Sequence, residues 1–410
     1  MTMPEHVEVA VVGAGPTGLA LGCALQQSGV DVLLADKAAL GTNESRAAVV
    51  HARTLEVLDE IDVTRRLVAE GVVVPVFSLR NGARRLARID FSRLPTRYPY
   101  TLMLAQSRTE AILTTRLEEL GGRVHRPYAA TRVTTTDAGA VLTLTGPDSS
   151  EHTVRARYVI GADGMHSTIR EKAGIGFTGG RYEESFVLAD VRMDWPLPAD
   201  EVQLFFSSAG LVVVAPLPGG QHRVVATMDA APETITRAHV QSLLDERGPG
   251  SVHVHELAWG SRFRVHHRVA DDYRRGPLLL AGDAAHVHSP AGGQGMNTGI
   301  QDAVDLGHAL TDVLRNGQPD SSLDTYQSRR RPVALQVVTL TDRATRIATL
   351  SNPAARTARN VAVRLISHVP AANRRIALQL AELTVTPYAA TTPSLPGKAT
   401  STLPGSVTGR

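Results

Sequence analysis

Residues 6–12, HVEVAVV, alternate polar and apolar positions and then run apolar up to Gly13. That is the pattern of a strand entering a buried sheet. Helical spacing follows from Thr17 to Gln27 and stops at Gly29, after which VDVLLAD reads as a second strand. The opening is therefore a strand-helix-strand unit. Helical periodicity returns over 52–70, stopped by Gly71, and over 108–120, stopped by Gly121 and Gly122. Glycine is the usual residue just past a helix end. Short β-rich pieces over 122–162 predict a hairpin feeding one further strand of the first sheet, with its C-terminal end at Gly161 to Gly164.

The pattern changes over 183–228, where FVLADVRM, EVQLFFSS, GLVVVAPLP and HRVVATM are short apolar runs separated by Pro, Gly and Ser. Such spacing predicts an antiparallel sheet, read as a second domain inserted into the first. Residues 278–281 supply the last strand of the first domain, 296–315 a long helix, and the stretches after 323 and over 353–383 further helices. The predicted boundaries are 1–175 with 270–320 for the first domain, 176–269 for the second, 321–385 for C-terminal helices and 386–410 for a Thr, Pro, Ser and Gly-rich tail without a core-forming pattern.

Composition narrows the function. Hydrophobic residues at 43% and charged residues at 20% of 410 residues suit a folded globular chain of about two domains. Lys plus Arg is 43 against 40 for Asp plus Glu, and the arginine clusters at 84–85, 274–275 and 329–331 lack interleaved aromatics, so no nucleic-acid partner is expected. The single cysteine, Cys23, excludes an internal disulfide and suits a reducing compartment. Neither a signal peptide nor a membrane span is expected, and the expected location is the cytoplasm. The histidine pairs His253/His255, His266/His267 and His286/His288 invite a metal reading, but Cys, Asp or Glu at ligand spacing is largely missing and no metal is expected.

Two glycine-rich stretches carry the chemistry. GAGPTG at 13–18 follows a strand, opens a helix and is answered by Asp36 at the end of the next strand. Glycines permit a tight turn and close approach of a pyrophosphate, and the helix N-terminus offers free N–H groups and positive dipole. This motif alone leaves FAD and NAD(P) equally open. The second stretch, LLLAGDAAHVHSPAGGQGMN at 278–297, leaves Asp283 at a strand end, where it can grip a ribityl or ribose hydroxyl. The helix that opens at about Met296 presents N–H groups to a group gaining negative charge, as a reduced isoalloxazine does. The loss of side chains there leaves room for a flat ring, which favours FAD.

GxGxxG at 13–18, YVIGADGMHSTIR at 158–170 and LLLAGDAAHVHSPAGGQGMNTGIQDAVDLG at 278–307 together resemble the single-component FAD-dependent aromatic hydroxylases, the p-hydroxybenzoate hydroxylase group, and within it the aromatic polyketide hydroxylases. The resemblance covers about residues 5–345. It implies an α/β fold: a Rossmann-like FAD domain of glutathione-reductase type, an inserted antiparallel substrate domain and a helical C-terminal segment. It also implies that Gly13, Gly15 and Gly18 contact the FAD pyrophosphate and that Asp36, where the family usually has glutamate, takes the ribose place. Arg46 lies near the flavin, Gln106 reaches its ribityl and phosphate region, and Asp163 serves both FAD and the reducing nicotinamide. Asp283 and the backbone at Gly295, Met296 and Asn297 hold the ribityl chain and ring.

The implied reaction takes hydride from NAD(P)H, NADPH in preference, and passes one atom of O2 to an electron-rich aromatic through a flavin C4a-hydroperoxide, as in antibiotic biosynthesis. The cofactor carries the chemistry while the protein binds, orients and excludes water. No side chain is marked as catalytic. Baeyer–Villiger insertion or epoxidation by the same family, or a flavoprotein that sequesters a drug-like aromatic without oxidising it, are the alternatives. A flavin halogenase fits less well, with only Trp195 and Trp259 in the chain. Substrate candidates are Phe205, Val213 and Met228 on the antiparallel strands and Pro290 and Ala291 in the loop, although core packing explains the strand positions equally well. Neither the substrate nor the oligomeric state is readable from the chain.

Overall fold

The computed structural model describes residues 3–41, 47–228, 231–290, 292–348, 350 and 352–384, with 182–184 and 264–265 by their backbone alone. Arg46, Ala291 and the tail over 386–410 lie outside the described residues.

Two eight-stranded sheets organise the molecule. In the first, the strands run in the order Arg274–Arg275, Leu278–Leu280, Glu151–Gly161, His6–Val12, Val32–Ala35 and Val124–His125, parallel from Leu278 onward. The hairpin Ala129–Thr136 and Gly139–Thr145 joins along Glu151–Gly161. Val9, Ala10, Val11 and Val12 are buried because helices cover the sheet, which is why the run loses its alternation. The helix Pro16–Gln27 packs against Gln106–Glu119 and Gln294–Leu314. Register sets Val12 opposite both Gly161 and Ala35, and Gly161 opposite Leu280. The C-terminal ends of four strands thus lie along one edge.

The second sheet runs His286–Val287, His253–Ala270, Phe177–Asp194, Gln221–Met228, Gly210–Leu217, Glu201–Ser207, Val76–Asn81 and Arg84–Asp90. Its last two strands come from within residues 1–175, so the first segment feeds both sheets. Arg84 follows a turn at Gly82 with φ +56°, and Val76–Asn81 joins Glu201–Ser207 in parallel within an otherwise antiparallel sheet. One face of this sheet is covered by the helix Arg237–Arg247, and the other meets Ala48, Met103 and Phe91.

Helix ends differ from the sequence pattern where local backbone intervenes. The stretch over 52–70 forms two helices, Ala52–Asp59 and Thr64–Glu70, with Asp62 between them at φ +58°. The long helix starts at Gln294 rather than 296, and the last stretch divides into Pro353–Ser367 and Pro370–Leu380, each opening on a proline, whose fixed φ suits a first helical position. Among the described residues, no helix is long and apolar enough to cross a membrane, and no group of three or more His, Cys, Asp or Glu could hold a metal ion.

Candidate active site

The site is built on the row of strand ends. Gly13 N–H donates to the Ala35 carbonyl at 2.8 Å, Ala162 N–H to that of Val12 at 2.8 Å, and Ala281 N–H to that of Gly161 at 3.0 Å. The ladder therefore continues one residue past each strand, and the turns after them lie side by side. Gly13 has φ +103°, and a β-carbon there would come within 2.2 Å of the Ala162 oxygen. One on Gly18 would come within 1.8 Å of the Gly13 oxygen. A β-carbon on Gly15 would meet nothing within 4 Å among the described residues. The protein's own packing demands the first and third glycines; the second leaves open space in front of a helix N-terminus that has no side-chain cap among the described residues. Uncapped N–H groups there suit an anionic group.

Asp36 Oδ2 accepts from Ala14 N–H at 2.6 Å, Oδ1 accepts from Ala38 N–H at 2.7 Å, and Arg126 lies 3.2 Å from Oδ1. Arg126 also donates to the Ala14 and Leu40 carbonyls. The short aspartate side chain folds back to brace the glycine turn, each oxygen accepting one main-chain N–H.

In the neighbouring turn, Asp163 Oδ2 accepts from Thr168 N–H at 2.7 Å and from Ile169 N–H at 3.3 Å. Its Oδ1 is buried without a partner among the described residues. Burial pushes the Asp163 carboxyl above its ordinary range, against the hydrogen bonds from Ser167, Ile169 and Thr168. Arg170, two residues on from Thr168, donates to the carbonyls of Met165 and Ala284, each at 2.8 Å, and fastens this turn to the next. That role is not readable from the motif: an arginine at a helix start looks like any solvated charge.

Asp283 is exposed on the turn after Leu278–Leu280. The turn packs on the first helix, since a β-carbon on Gly282 would lie 2.5 Å from Thr17 Oγ1. Asp283 and GAGPTG thus lie on turns packed against the same helix start. Further along the chain, Gly293 takes the left-handed φ of +68° and opens the helix Gln294–Leu314 without a side-chain cap. Among the described residues, a β-carbon on Gly295 would have its nearest neighbour, His288 Cε1, at 3.9 Å, so they leave this N-terminus open. The Asn297 side chain is a clamp: it accepts from His51 N–H at 2.8 Å and donates to the Val49 and Gly293 carbonyls at 2.8 and 2.7 Å. Met296 packs on the main core. His51 donates from Nε2 to the Gly292 carbonyl at 2.8 Å, and burial pushes it down to about 4, which keeps it neutral. Gln106 accepts from Ala47 N–H at 3.2 Å and donates to Glu110 at 2.8 Å, bracing the segment that leads from Arg46.

The substrate candidates separate. Phe205 is fully buried beneath the helix Arg237–Arg247, edge to face with Trp195 at 6.1 Å, and Met228 packs on the same cluster. These two serve as core, because odd and even positions of a strand face opposite ways. Val213 lies on the opposite face, toward Ala48, Val49 and Met103. The Pro290 carbonyl accepts from Gly293 N–H at 2.9 Å and forms the turn that precedes the helix.

On the strand pair Phe177–Asp194 and His253–Ala270, Arg181 stands opposite His266, which is pushed below its ordinary range by burial and by the nearby Arg268, Arg181, His166 and His267.

These features fit FAD. Gly15 and Gly295 leave two uncapped helix N-termini open along one edge, and Asp163 offers a buried oxygen that the described residues leave unpaired. The FAD binding domain family matches residues 6–341. The 6-methylpretetramide 4-monooxygenase of Streptomyces rimosus is 38% identical over 377 residues, covering 90% of this chain and 67% of that protein. Among solved structures, p-nitrophenol 4-monooxygenase PnpA from Pseudomonas putida DLL-E4 superposes with a TM-score of 0.84 at 28% identity, over 93% of this chain and 99% of that one. OxyS anhydrotetracycline hydroxylase from Streptomyces rimosus does so at 0.79 with 34% identity, over 93% and 77%. With family, relatives and strand-end geometry in agreement, the chain belongs to the single-component FAD-dependent aromatic monooxygenases, close to the aromatic polyketide hydroxylases.

Proposed function

We propose that this monooxygenase hydroxylates a bulky aromatic of polyketide type, with O2 and with NAD(P)H, NADPH in preference, as co-substrate. The carrying observation is the pair of open helix N-termini, at Gly15 and Gly295, on either side of Asp283. Bound FAD supplies the hydride acceptance and oxygen transfer that no side chain of the protein can perform.

The protein's own residues bind and orient. The N–H groups after Gly15 receive the pyrophosphate, Asp283 receives ribityl hydroxyls, and the N–H groups at Gly295, Met296 and Asn297 receive the ring edge where negative charge develops on reduction. Asp163 accepts from the cofactor at its unpaired Oδ1. Arg181 and Arg268, on the strand pair Phe177–Asp194 and His253–Ala270, suit the phosphates of a nicotinamide dinucleotide.

The substrate wall is the half-buried part of the second-sheet face turned toward Ala48, Val49 and Met103, at Leu204 and Val213. It is apolar, which favours a bulky aromatic over a small charged acid. The substrates named for two relatives, 6-methylpretetramide and anhydrotetracycline, support the same class. Purified protein reconstituted with FAD is to be screened with aromatic polyketides and simple phenols for faster NADPH and NADH oxidation, with mass analysis of the product. A product carrying one added oxygen supports the reading. Binding of the polyketides without stimulated oxidation or added oxygen overturns it.

A further inference from the structure

One buried anion ties the turn that carries Asp283 to the helix Gln294–Leu314. Asp302 sits in the third turn of the helix Gln294–Leu314 and is fully buried. Its Oδ2 accepts from Gly282 N–H at 3.2 Å and from His286 Nε2–H at 2.5 Å, while Oδ1 accepts from Arg330 Nε at 2.6 Å. Arg330 also donates to the Thr298 carbonyl at 3.2 Å, in the same helix. The Tyr326 hydroxyl donates to the Leu280 carbonyl at 2.9 Å, and the Tyr273 ring stacks on His286 at 6.2 Å. Burial acts to raise the Asp302 carboxyl, but Arg330 and His286 outweigh it and hold the group below its ordinary range as an anion.

The contacts converge on the two elements that the proposed cofactor would touch. Gly282 and His286 bracket the turn that carries Asp283; Thr298 and Asp302 belong to the helix whose N-terminus is open at Gly295. These elements meet backbone to backbone: a β-carbon on Gly299 would lie 3.2 Å from the Gly282 α-carbon. So close an approach leaves no room for interlocking side chains at that point. The charge network sets the register.

We infer that Asp302, His286 and Arg330 form a positioning clamp that sets the separation of Asp283 from the helix N-terminus, and through it the environment of the flavin ring. The inference rests on the FAD-binding reading above. None of the three residues touches the reacting atoms in this account. A buried ion pair that merely held the fold would affect stability alone. A clamp also changes the relative affinity for oxidised and reduced flavin.

Asp302→Asn keeps the shape and removes the charge, His286→Phe removes the donor, and His286→Gln restores a donor of similar reach. Tyr326→Phe removes only the hydroxyl bond to Leu280 and stays testable should Asp302→Asn not fold. For each variant, apoprotein Tm, FAD dissociation constant, visible absorption spectrum and two-electron midpoint potential are measured against wild type. Asp302→Asn and His286→Phe are expected to weaken FAD binding about tenfold. They should also shift the midpoint potential by about 30 mV, the equivalent of a tenfold change in relative affinity for the two redox states. His286→Gln should return toward wild type, and Tyr326→Phe should give a smaller shift in the same direction. Variants with lowered Tm but wild-type affinity, spectrum and potential would overturn the clamp. Failure of the wild-type protein itself to bind FAD would instead overturn the underlying reading.

Discussion

The two sheets use similar residues but are limited by different things. At the C-terminal edge of the first, backbone meets backbone, and the identity of each turn residue follows: Gly13 and Gly18 admit no β-carbon. In the second sheet, side chain meets side chain on both faces. Phe205 and Val212 fill one core while Ala215 and Leu217 fill another, and any apolar set of the same volume would serve. A ligand held by main-chain groups therefore leaves a trace in the amino-acid order. One held by an apolar wall leaves little beyond volume.

Breaking the first sheet's edge should have the largest effect. Gly13→Ala places a β-carbon 2.2 Å from the Ala162 oxygen at φ +103°. A strained φ of this kind costs about 1–3 kcal/mol before the clash is counted. Loss of FAD retention is expected, read as colourless protein after reconstitution. Gly15→Ala is the sharper comparison, because the apoprotein has open space there. It should fold with unchanged Tm yet bind FAD on the order of 10–100-fold more weakly. Unchanged FAD affinity in Gly15→Ala would remove the pyrophosphate from this turn.

The same contrast explains what is legible in the sequence. The βαβ opening, the strand that ends at Gly161 and the helix after Gly293 are readable because periodicity and glycine placement report on buried parallel strands and helix ends. The strands Val76–Asn81 and Arg84–Asp90 are not assignable to the second sheet from local pattern, because their pairing partner, Glu201–Ser207, is remote in the chain. Asp36 is readable as an acid at a strand end, but its bonds to the Ala14 and Ala38 N–H groups are not. Asp302 and Arg330 look like ordinary polar positions in amphipathic helices. Their burial depends on two helices and a turn meeting, which no local pattern records.

On the second sheet, Phe205→Ala should behave as a core deletion. Its ring is fully buried against Trp195 and the helix Arg237–Arg247, so about 3–5 kcal/mol of stability is expected to be lost. Denaturant unfolding of the FAD-saturated protein measures it. Val213→Ala should cost far less and alter substrate preference. A Phe205→Ala protein of normal stability with a changed substrate profile would reverse the assignment of the two faces.

A smaller effect compares two buried acids around one helix. Asp302 is held low, whereas Glu382 is pushed up to about 8, chiefly by burial, against hydrogen bonds from Gln301 and Thr54. Its Oε1 is buried without a partner among the described residues. Between about pH 4.5 and 8 the folded protein keeps a proton that the unfolded chain has released. Stability is therefore full below that window and falls as pH rises through it, by a few kcal/mol at most, at roughly 1.4 kcal/mol for each tenfold difference in proton affinity between the folded and unfolded chain. Glu382→Gln should flatten the decline in Tm between about pH 5 and pH 8.5. An unaltered slope would assign that pH dependence to other groups.

The smallest expected change is at Asp283, which returns the comparison to the first sheet's edge. The carboxylate is exposed, and the turn that carries it packs on Thr17 and is held by Asp302 through the Gly282 N–H. Asp283→Asn should therefore leave apoprotein Tm within about 1 °C of wild type, as surface changes usually do. Its role toward the cofactor is to accept from hydroxyl groups, and a neutral amide accepts more weakly than a carboxylate. FAD affinity should fall about tenfold, or about 1.4 kcal/mol. Isothermal titration of both apoproteins with FAD measures the difference. An equal fall for riboflavin would place Asp283 on the ribityl chain, while a fall confined to FAD would move it to the adenosine end and reverse the direction in which the cofactor lies across the two helix N-termini.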